Sequence, residues 1–441
     1  MIRFFIIALI LSIGWQSYGQ EALTLEEAIR YSLTNNYAIR IAQNDQMITD
    51  NNHQAGNAGM LPVIDLDVNK NYQRQNIALD IQGPDGIFQI SKDWAKSDRF
   101  NAAARLNWTI FDGLGMFMTM EKLASMKNWG EINTQQAVQN TVAQISNAYH
   151  QILLEKERLR VLEENLEVSL RRLEFAENRY RVGKSSKVDY LAAQVDYNSD
   201  RTGLIVQQQR IDNAKVDLNI LMGRNVDTPM DVVRSIEVDS TLQYQELERK
   251  VDQANPELLK AIQDHNIAYY AYREEKASRY PSISLDVAYT YSKSENEAGQ
   301  LRSSVFDGVN YGLTARWNIF DGFNINRRMQ NAKIEHETTL LALNELRLLV
   351  KGDLLKAYIN YTNSLKVVVL ERNNLEVAKE NEDIAIERFR LGGSDFLVLR
   401  EAQRNLVDSN GRLLDAIFSA KLAETELLRL AGNLVPTETT H

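Results

Sequence analysis

The 441-residue sequence contains no cysteine, and its acidic side chains outnumber its basic ones. Without cysteine, the chain is neither a small disulfide scaffold nor a bacterial protein lipid-anchored through an N-terminal cysteine. The formal net charge of −9 argues against nucleic acid as a partner, because that requires a basic face. After Trp15 no stretch is apolar over the roughly 20 residues that a membrane helix needs, so no transmembrane helix is expected.

Recognisable catalytic motifs are also lacking. The five histidines are scattered, and Gly113-x-Gly115 lacks the rest of a nucleotide-binding fingerprint. No nucleophile is paired with a base in the sequence. We therefore expect no enzymatic activity, no cofactor and no metal.

The N-terminus has the pattern of a secretory signal. Arg3 precedes an apolar run from Phe4 to Trp15, and the small residues Ser17 and Gly19 stand where a signal peptidase cleaves. The alternative is an N-terminal membrane anchor, for which the run is short. We assign residues 1–19 to a signal peptide and expect an exported protein.

The chain is a tandem duplication. Residues 108–113 read WTIFDG and residues 317–322 read WNIFDG, and further landmarks follow at equal spacing. A fixed spacing between several landmarks indicates repeated structural units. The predicted segments are a first repeat over 20–223, a linker over 224–241, a second repeat over 242–432 and a tail over 433–441. The paired landmarks are Arg181-Val182-Gly183 with Arg390-Leu391-Gly392, Ala193-Gln194 with Ala402-Gln403, and Leu221-Met222-Gly223 with Leu430-Ala431-Gly432.

Each repeat contains two stretches that alternate apolar and polar residues, which is the period of a β-strand. The predicted β-hairpins cover about 62–111 and 281–320, with strands about ten residues long joined by loops over 75–99 and 293–308. Aromatic residues on the apolar faces, such as Trp108 and Tyr289, are typical of strands that cross a membrane. The alternative is a hairpin that lies over a soluble core.

The remaining sequence is helical. Apolar residues recur every seven positions from Val138 to Tyr180, which predicts helices packed as coiled coils. The matching places of the second repeat hold Leu354, Tyr361, Val368, Leu375 and Phe389. Asp112 and Asp321 are expected to cap the long helices at their N-termini. Each repeat should contain one long helix and two shorter ones. The predicted ranges are 24–59, 113–182 and 188–222 in the first repeat, and 242–279, 322–391 and 395–431 in the second.

Together with the duplicated hairpins and hexapeptides, the pattern R-Y-x-x-G-x-x-S-x-x-D-x-L-x-A from Arg179 to Ala193 resembles the TolC-like outer-membrane efflux proteins. The resemblance implies a homotrimer whose twelve-stranded β-barrel, set in outer-membrane lipid, continues into a twelve-helix periplasmic tunnel. It also implies an exit duct for an inner-membrane pump, reached through a periplasmic adaptor protein, with cargo that ranges from drugs and metal ions to polypeptides. The alternative function is a periplasmic coiled-coil scaffold or adaptor without a barrel.

The resemblance also assigns roles to particular residues. Adaptor contacts would lie at two helical turns, and a gate would lie at the periplasmic entrance. Both turn glycines have a plain structural role as helix ends, Asp189 has one in a capping box with Ser186, and Glu401 could simply face solvent. The expected adaptor contacts are Val182, Gly183, Lys184, Leu391, Gly392 and Gly393, and the expected gate residues are Asp189, Val398 and Glu401.

Overall fold

The computed structural model of the chain describes residues 23–84, 86–233, 236–299, 301–391 and 396–434. The predicted signal peptide and most of the predicted tail lie outside these residues. The fold is mostly helical with one small antiparallel sheet. Its elements are α1 Leu25–Asn35, α2 Tyr37–Asn52, β1 Val63–Gly83, β2 Gly86–Phe111, α3 Gly115–Arg181, α4 Lys187–Met222, α5 Tyr244–Ala254, α6 Pro256–Ala277, β3 Ser282–Asn296, β4 Ser303–Arg316, α7 Asn324–Arg390 and α8 Phe396–Leu430.

The chain divides into two compact units, and the long helices α3 and α7 contribute residues to both. We call them the hairpin unit, with the described residues of 45–131 and 260–345, and the helical unit, with the described residues of 23–44, 132–259 and 346–434. Among the described residues, none of the helices is apolar over a length sufficient to cross a membrane.

The hairpin unit contains a four-stranded antiparallel sheet in the order β1-β2-β3-β4. Its register confirms the alternation seen in the sequence, because paired residues share a face. Leu66 pairs with Ala104, which pairs with Tyr289, and Tyr289 pairs with Val309. One face of the sheet is therefore apolar, and the other carries Asp67, Arg105 and similar polar residues. The apolar face comprises Ile64, Leu66, Val68, Ala102, Ala104, Leu106, Trp108, Ile283, Leu285, Val287, Tyr289, Tyr291, Val309, Tyr311, Leu313 and Ala315.

The predicted strand lengths and loops are wrong. β1 and β2 contain 21 and 26 residues and run to a tight turn at Pro84, while β3 and β4 contain 15 and 14 residues. Gly83 still pairs with Gly86, so the predicted loop over 75–99 is almost entirely strand. The predicted loop over 293–308 shrinks to the residues between Asn296 and Ser303. In the predicted loop over 75–99, the Gly and Pro residues lie at the turn, whereas the polar residues on either side of the turn belong to exposed strands.

The two predicted helices over 24–59 and 242–279 are each broken, and the first ends at Asn52. The breaks lie at Asn36 and Asn255, which cap the helices that follow: Asn36 Oδ1 accepts from the Ala38 and Ile39 amides, and Asn255 Oδ1 accepts from the Leu258 amide. Asparagine competes with helical hydrogen bonding in this way.

The same two asparagines bind the ends of the returning helices. Asn36 Nδ2 donates to the Leu221 carbonyl at 2.6 Å, and Asn255 Nδ2 donates to the Leu430 carbonyl at 2.9 Å. A carbonyl at the end of a helix has no intrahelical partner, so each of these bonds satisfies one. We call each break, with the helix end bound to it, a joint.

Gly223 and Gly432 close the two joints with φ values of 70° and 66°. A Cβ on Gly223 would lie 2.5 Å from the Asn35 carbonyl oxygen, and one on Gly432 would lie 2.3 Å from that of Ala254. Only glycine fits this left-handed conformation at such close approach. The repeated Leu-x-Gly landmarks are explained by this packing.

The hexapeptides close the hairpins at their other end. Asp112 and Asp321 each accept a hydrogen bond of 2.7 Å, from the Met116 and Ile325 amides, so each carboxylate caps the first turn of its long helix as predicted, although the helices begin at Gly115 and Asn324 rather than at 113 and 322. The tryptophan indoles of the two hexapeptides make equivalent hydrogen bonds. Trp108 Nε1 donates to the Met60 carbonyl at 2.9 Å, and Trp317 Nε1 donates to the Arg279 carbonyl at 3.1 Å, which ties each return strand to the chain that enters its hairpin.

The helical unit contains two matching apolar clusters, one from each repeat. Ile145 and Ile152 are fully buried in the first, and Leu354 and Tyr361 are buried in the second, which confirms the heptad positions near the centre of the long helices. The linker over 224–241 has no helix in its described residues, as predicted. It packs against the first cluster, where the Tyr149 hydroxyl bonds to the carbonyls of Leu23 and Val233.

Candidate functional site

The first helical turn ends α3 as the sequence predicts. Gly183 has a φ of 74°, its amide donates to the Tyr180 carbonyl at 2.9 Å, and the Lys184 amide donates to the Arg179 carbonyl at 2.8 Å. This is the hydrogen-bond pattern with which glycine ends a helix. Val182 is 67% exposed, and the space where a Gly183 side chain would stand is open. The turn therefore presents an unhindered surface within this chain.

Asp189 lies in the first turn of α4, and its carboxylate is engaged there. Oδ2 accepts from the Ser185 hydroxyl at 2.8 Å and from the Ser186 amide at 3.2 Å, while Ser186 Oγ accepts from the Asp189 amide. The predicted capping box is confirmed. The Ser185 hydroxyl, followed by the bonds to Ser186, holds the pKa of Asp189 below its usual range. A charged Asp189 therefore stabilises the helix start.

An aromatic contact holds the same turn together. The rings of Tyr180, at the end of α3, and Tyr190, at the start of α4, are stacked with centroids 5.9 Å apart. This stacked pair joins the two helices next to the exposed residues of the turn.

The second turn is described only up to Leu391, which is 84% exposed. Gly392 and Gly393 lie outside the described residues. Beyond them, α8 packs Leu399 and Ala402 against Ala385 of α7. This contact fixes which side of α8 faces the long helix.

Val398 and Glu401 are one turn apart on the exposed side of α8. Val398 is 52% exposed, and Glu401 is exposed as well, because both lie away from the packed side. The structure thus brings these two predicted gate residues together on one surface of a single chain.

A buried polar cluster lies farther along the same helices. Arg172 of α3 donates to Asp196 of α4 at 3.1 Å and to Gln403 of α8 at 2.9 Å, and Arg400 contacts the other oxygen of Asp196 at 2.8 Å. Asp200 also accepts from the Ser169 hydroxyl. Three helices are therefore joined through one carboxylate and one guanidinium.

The charged groups of this cluster are buried, so they need to be paired. The side chains of Arg172 and Asp196 are 6% and 11% exposed, and burial lowers the pKa of Arg172 while Asp196 opposes that shift. An unpaired charge there would be strongly unfavourable. In the sequence Gln403 stands out only as a repeat landmark, and the cluster was not predicted. In the sequence, a charged residue within a heptad pattern gives no sign of whether it faces solvent or a partner helix.

Solved structures define the class of this fold. The CmeC outer membrane channel of Campylobacter jejuni superimposes with a TM-score of 0.78 at 14% identity and covers 97% of this chain and 89% of its own. The OprN outer-membrane channel superimposes with a TM-score of 0.75 at 18% identity, over 93% of this chain and 90% of its own. The fold is that of the TolC-like channels.

The sequence profile of the outer membrane efflux protein family matches residues 28–224 and 247–433, and the chain belongs to that family. The outer membrane protein TolC of Vibrio cholerae is 22% identical over 334 residues, which are 75% of this chain and 74% of that protein. These relatives are channels, not enzymes. The protein is an efflux channel of the Gram-negative outer membrane that extends into the periplasm, rather than a member of a scaffold family.

Proposed function

We propose that three copies of this chain form one exit duct, with a shared twelve-stranded β-barrel in the outer membrane and a twelve-helix tunnel in the periplasm. The duct would receive small molecules or polypeptides from an inner-membrane pump through a periplasmic adaptor. The observation that carries this proposal is the four-stranded sheet with one mainly apolar face. Four strands do not close a barrel, and the outer edges of β1 and β4 have no partner within the described chain.

Membrane physics makes oligomerisation the natural consequence. An open sheet edge in lipid leaves backbone groups without hydrogen bonds, each at a cost of several kcal/mol. Pairing β4 of one copy with β1 of the next satisfies both edges at once. The apolar face would then contact lipid, and the polar face, with the Arg105–Asp67 ion pair of 2.7 Å, would line water.

The two helical turns are the proposed adaptor contacts. Val182, Lys184 and Leu391 are exposed, which supports a docking role, and Gly183 leaves their surface open. Gly392 and Gly393 are assigned to the same contact by the family resemblance alone.

Glu401 and Val398 are the proposed gate, with Asp189 beside the turn. Three copies of Glu401 around one axis would repel each other, attract cations and ease opening, and Val398 would add an apolar collar. The exposed position of both residues on α8 supports this role. Asp189 has a demonstrated capping function, so its gate role is the secondary one.

The central test is the assembly itself. Protein extracted from outer membranes should have three times the chain mass by light scattering and should form ion-conducting pores in a planar bilayer. A monomer that forms no pores would overturn the proposal.

Two variants then test the sites in that trimer. Glu401→Gln should reduce cation selectivity, whereas Glu163→Gln on an exposed part of α3 should not. Gly183→Trp should abolish export from cells while trimers remain in the membrane. Unchanged selectivity removes Glu401 from the gate, and loss of the Gly183→Trp trimer shows that the glycine is structural.

A further inference from the structure

The first hairpin extends beyond the sheet. β3 pairs with β2 only as far as the Ser97–Asn296 pair, whereas β1 and β2 continue to pair with each other up to Gly83 and Gly86. Residues 77–83 and 86–92 therefore form a two-stranded ribbon outside the four-stranded sheet. We call these residues the distal ribbon.

A β-bulge separates the distal ribbon from the sheet. Gln75 pairs with Ala95 but Ile77 pairs with Lys92, so β2 contains one more residue than β1 at this point. Trp94 adopts a φ of 53°, and its amide donates to Asn76 Oδ1 at 2.8 Å. A bulge of this kind bends a hairpin and increases its twist. β1 itself carries no extra residue, so its odd-numbered residues stay on one face throughout.

The face that carries the odd-numbered residues of β1 changes from polar to apolar at the bulge. In the sheet it is the polar face, with Asp65, Asp67, Asn69, Asn71, Gln73 and Gln75 from β1. In the distal ribbon it begins with the pair Ile77–Lys92 and is apolar beyond it, because Leu79 pairs with Ile90 and Ile81 pairs with Phe88. Leu79 and Phe88 are 40% and 51% exposed in the single chain. The opposite face of the ribbon is polar at Asp80, Gln82, Gln89 and Ser91, with Ala78 and Ile87 as its apolar residues.

This change of polarity argues against lipid as the contact of the apolar ribbon face. In the proposed barrel, which this inference presupposes, the odd-numbered face of β1 points toward the barrel axis and the other face points toward lipid. A ribbon that continued into lipid would keep its apolar side chains on the even-numbered face. Instead, its apolar side chains point inward, where the other two copies of the chain present the same surface.

The dimensions allow those copies to meet. Seven residues of strand at about 3.4 Å each reach about 24 Å beyond the bulge. Twelve strands spaced about 4.8 Å apart and tilted by about 40° enclose a barrel with a radius of about 12 Å. A ribbon that bends at the bulge can therefore reach the three-fold axis.

Contacts at the base hold the ribbon to the second hairpin. Glu297 accepts from the Lys96 amide at 3.1 Å, and its carboxylate lies 3.3 Å from Lys92 Nζ. The bulge and the adjoining Lys92 are thus anchored, while the remaining described residues of the ribbon pair only between β1 and β2. We propose that the three distal ribbons pack their apolar faces against each other and form an outer cap over the mouth of the duct.

The chain has no cysteine, so cross-linking through single introduced cysteines tests this packing directly. Leu79→Cys should form disulfide-linked dimers within the purified trimer on mild oxidation. Asp80→Cys, the neighbouring residue on the opposite ribbon face, should form at least tenfold less. Light scattering on the same samples separates the two proposals: loss of the trimer counts against the duct, whereas an intact trimer without a Leu79 cross-link overturns the cap alone.

Two other outcomes also contradict the cap. Equal cross-linking at both positions would mean that the ribbons move freely and have no apolar contact. Quenching of a fluorophore on Leu79→Cys by lipid-phase quenchers, in vesicles that contain the trimer, would place the apolar face in lipid. The proposal predicts that the fluorophore is shielded from both lipid-phase and aqueous quenchers.

Discussion

Asn36 and Asn255 occupy the same place in the two repeats and bind the returning helix in the same way, whereas the hairpins of the two repeats differ by several residues per strand. A joint is surrounded by packed helices, so its bonds and close contacts restrict the residues that fit. A hairpin end has fewer packed neighbours within the chain and tolerates added length.

The helical unit shows a second difference between the repeats. The buried pair Arg172 and Asp196 in repeat one corresponds, at the spacing of the landmarks, to Asn381 and Asn405 in repeat two. His150 is buried in repeat one, and Ile359 stands in its place in repeat two. The duplicated fold therefore keeps its backbone constraints, while the Arg172–Asp196 pair and His150 have no counterpart of the same chemistry in repeat two.

The largest expected effect comes from breaking a joint. Gly432→Ala should lower the free energy of unfolding by about 3 kcal/mol or more, because the new Cβ meets the Ala254 carbonyl oxygen and φ is positive. Gly411→Ala inside α8, the helix that Gly432 follows, has open space around it and should stabilise by roughly 0.5–1 kcal/mol. Thermal unfolding followed by circular dichroism measures both. Equal midpoints for the two variants would refute the account of the joints.

The next largest effect is expected from removing the buried ion pair of repeat one. Asp196→Asn should destabilise by about 3 kcal/mol, because it removes the carboxylate to which the buried Arg172 guanidinium donates. The matched control is Glu164→Gln, which removes an exposed ion pair with Arg160 and should cost less than about 1 kcal/mol. Adding Arg172→Met to Asp196→Asn should recover part of the loss. A double variant no more stable than the single one would show that the charge is not the cause.

The smallest effect is a pH dependence that belongs to repeat one. Burial, and then the nearby Lys421, lowers the pKa of His150 from 6.5 to about 4. The unfolded chain takes up the proton at higher pH than the folded chain, so this residue lowers stability as pH falls from about 6.5 to about 4. The loss is at most about 3 kcal/mol.

His150→Gln should remove that part of the pH dependence of unfolding, whereas His53→Gln, which leaves His150 in place, should retain it. Thermal unfolding at several pH values provides the measurement. An unchanged pH slope in His150→Gln would assign the acid sensitivity to other groups.

The sequence predicts those features that depend on local patterns. The helix ends at Asp112, Gly183 and Ser186 were predictable, because a cap requires particular residues at fixed offsets. The alternation of the strands likewise follows from side-chain period alone. The breaks at Asn36 and Asn255 were not predicted, because an asparagine in a polar helical stretch shows no sign that it binds a distant carbonyl.

The distal ribbon and the Arg172 cluster were missed for related reasons. Alternation near Ile77 and Leu79 was hidden among the Gly, Pro and charged residues of a predicted loop. Arg172 is one of many charged residues in a long heptad pattern, and only the packing of three helices reveals its burial. The residues assigned to the adaptor contact and the gate rest on family resemblance, since their roles appear only in an assembly.

The central claim is that one face of the sheet contacts lipid and the other lines a water-filled duct. Spin labels on single cysteines at successive positions of β4 in the trimer, reconstituted in lipid, test it directly. The positions are Gly308, Val309, Asn310, Tyr311, Gly312 and Leu313. The account predicts that accessibility to oxygen, which partitions into lipid, peaks at 309, 311 and 313, and that accessibility to a water-soluble relaxation agent peaks at 308, 310 and 312. Uniform exposure to the water-soluble agent at all six positions would contradict a membrane barrel.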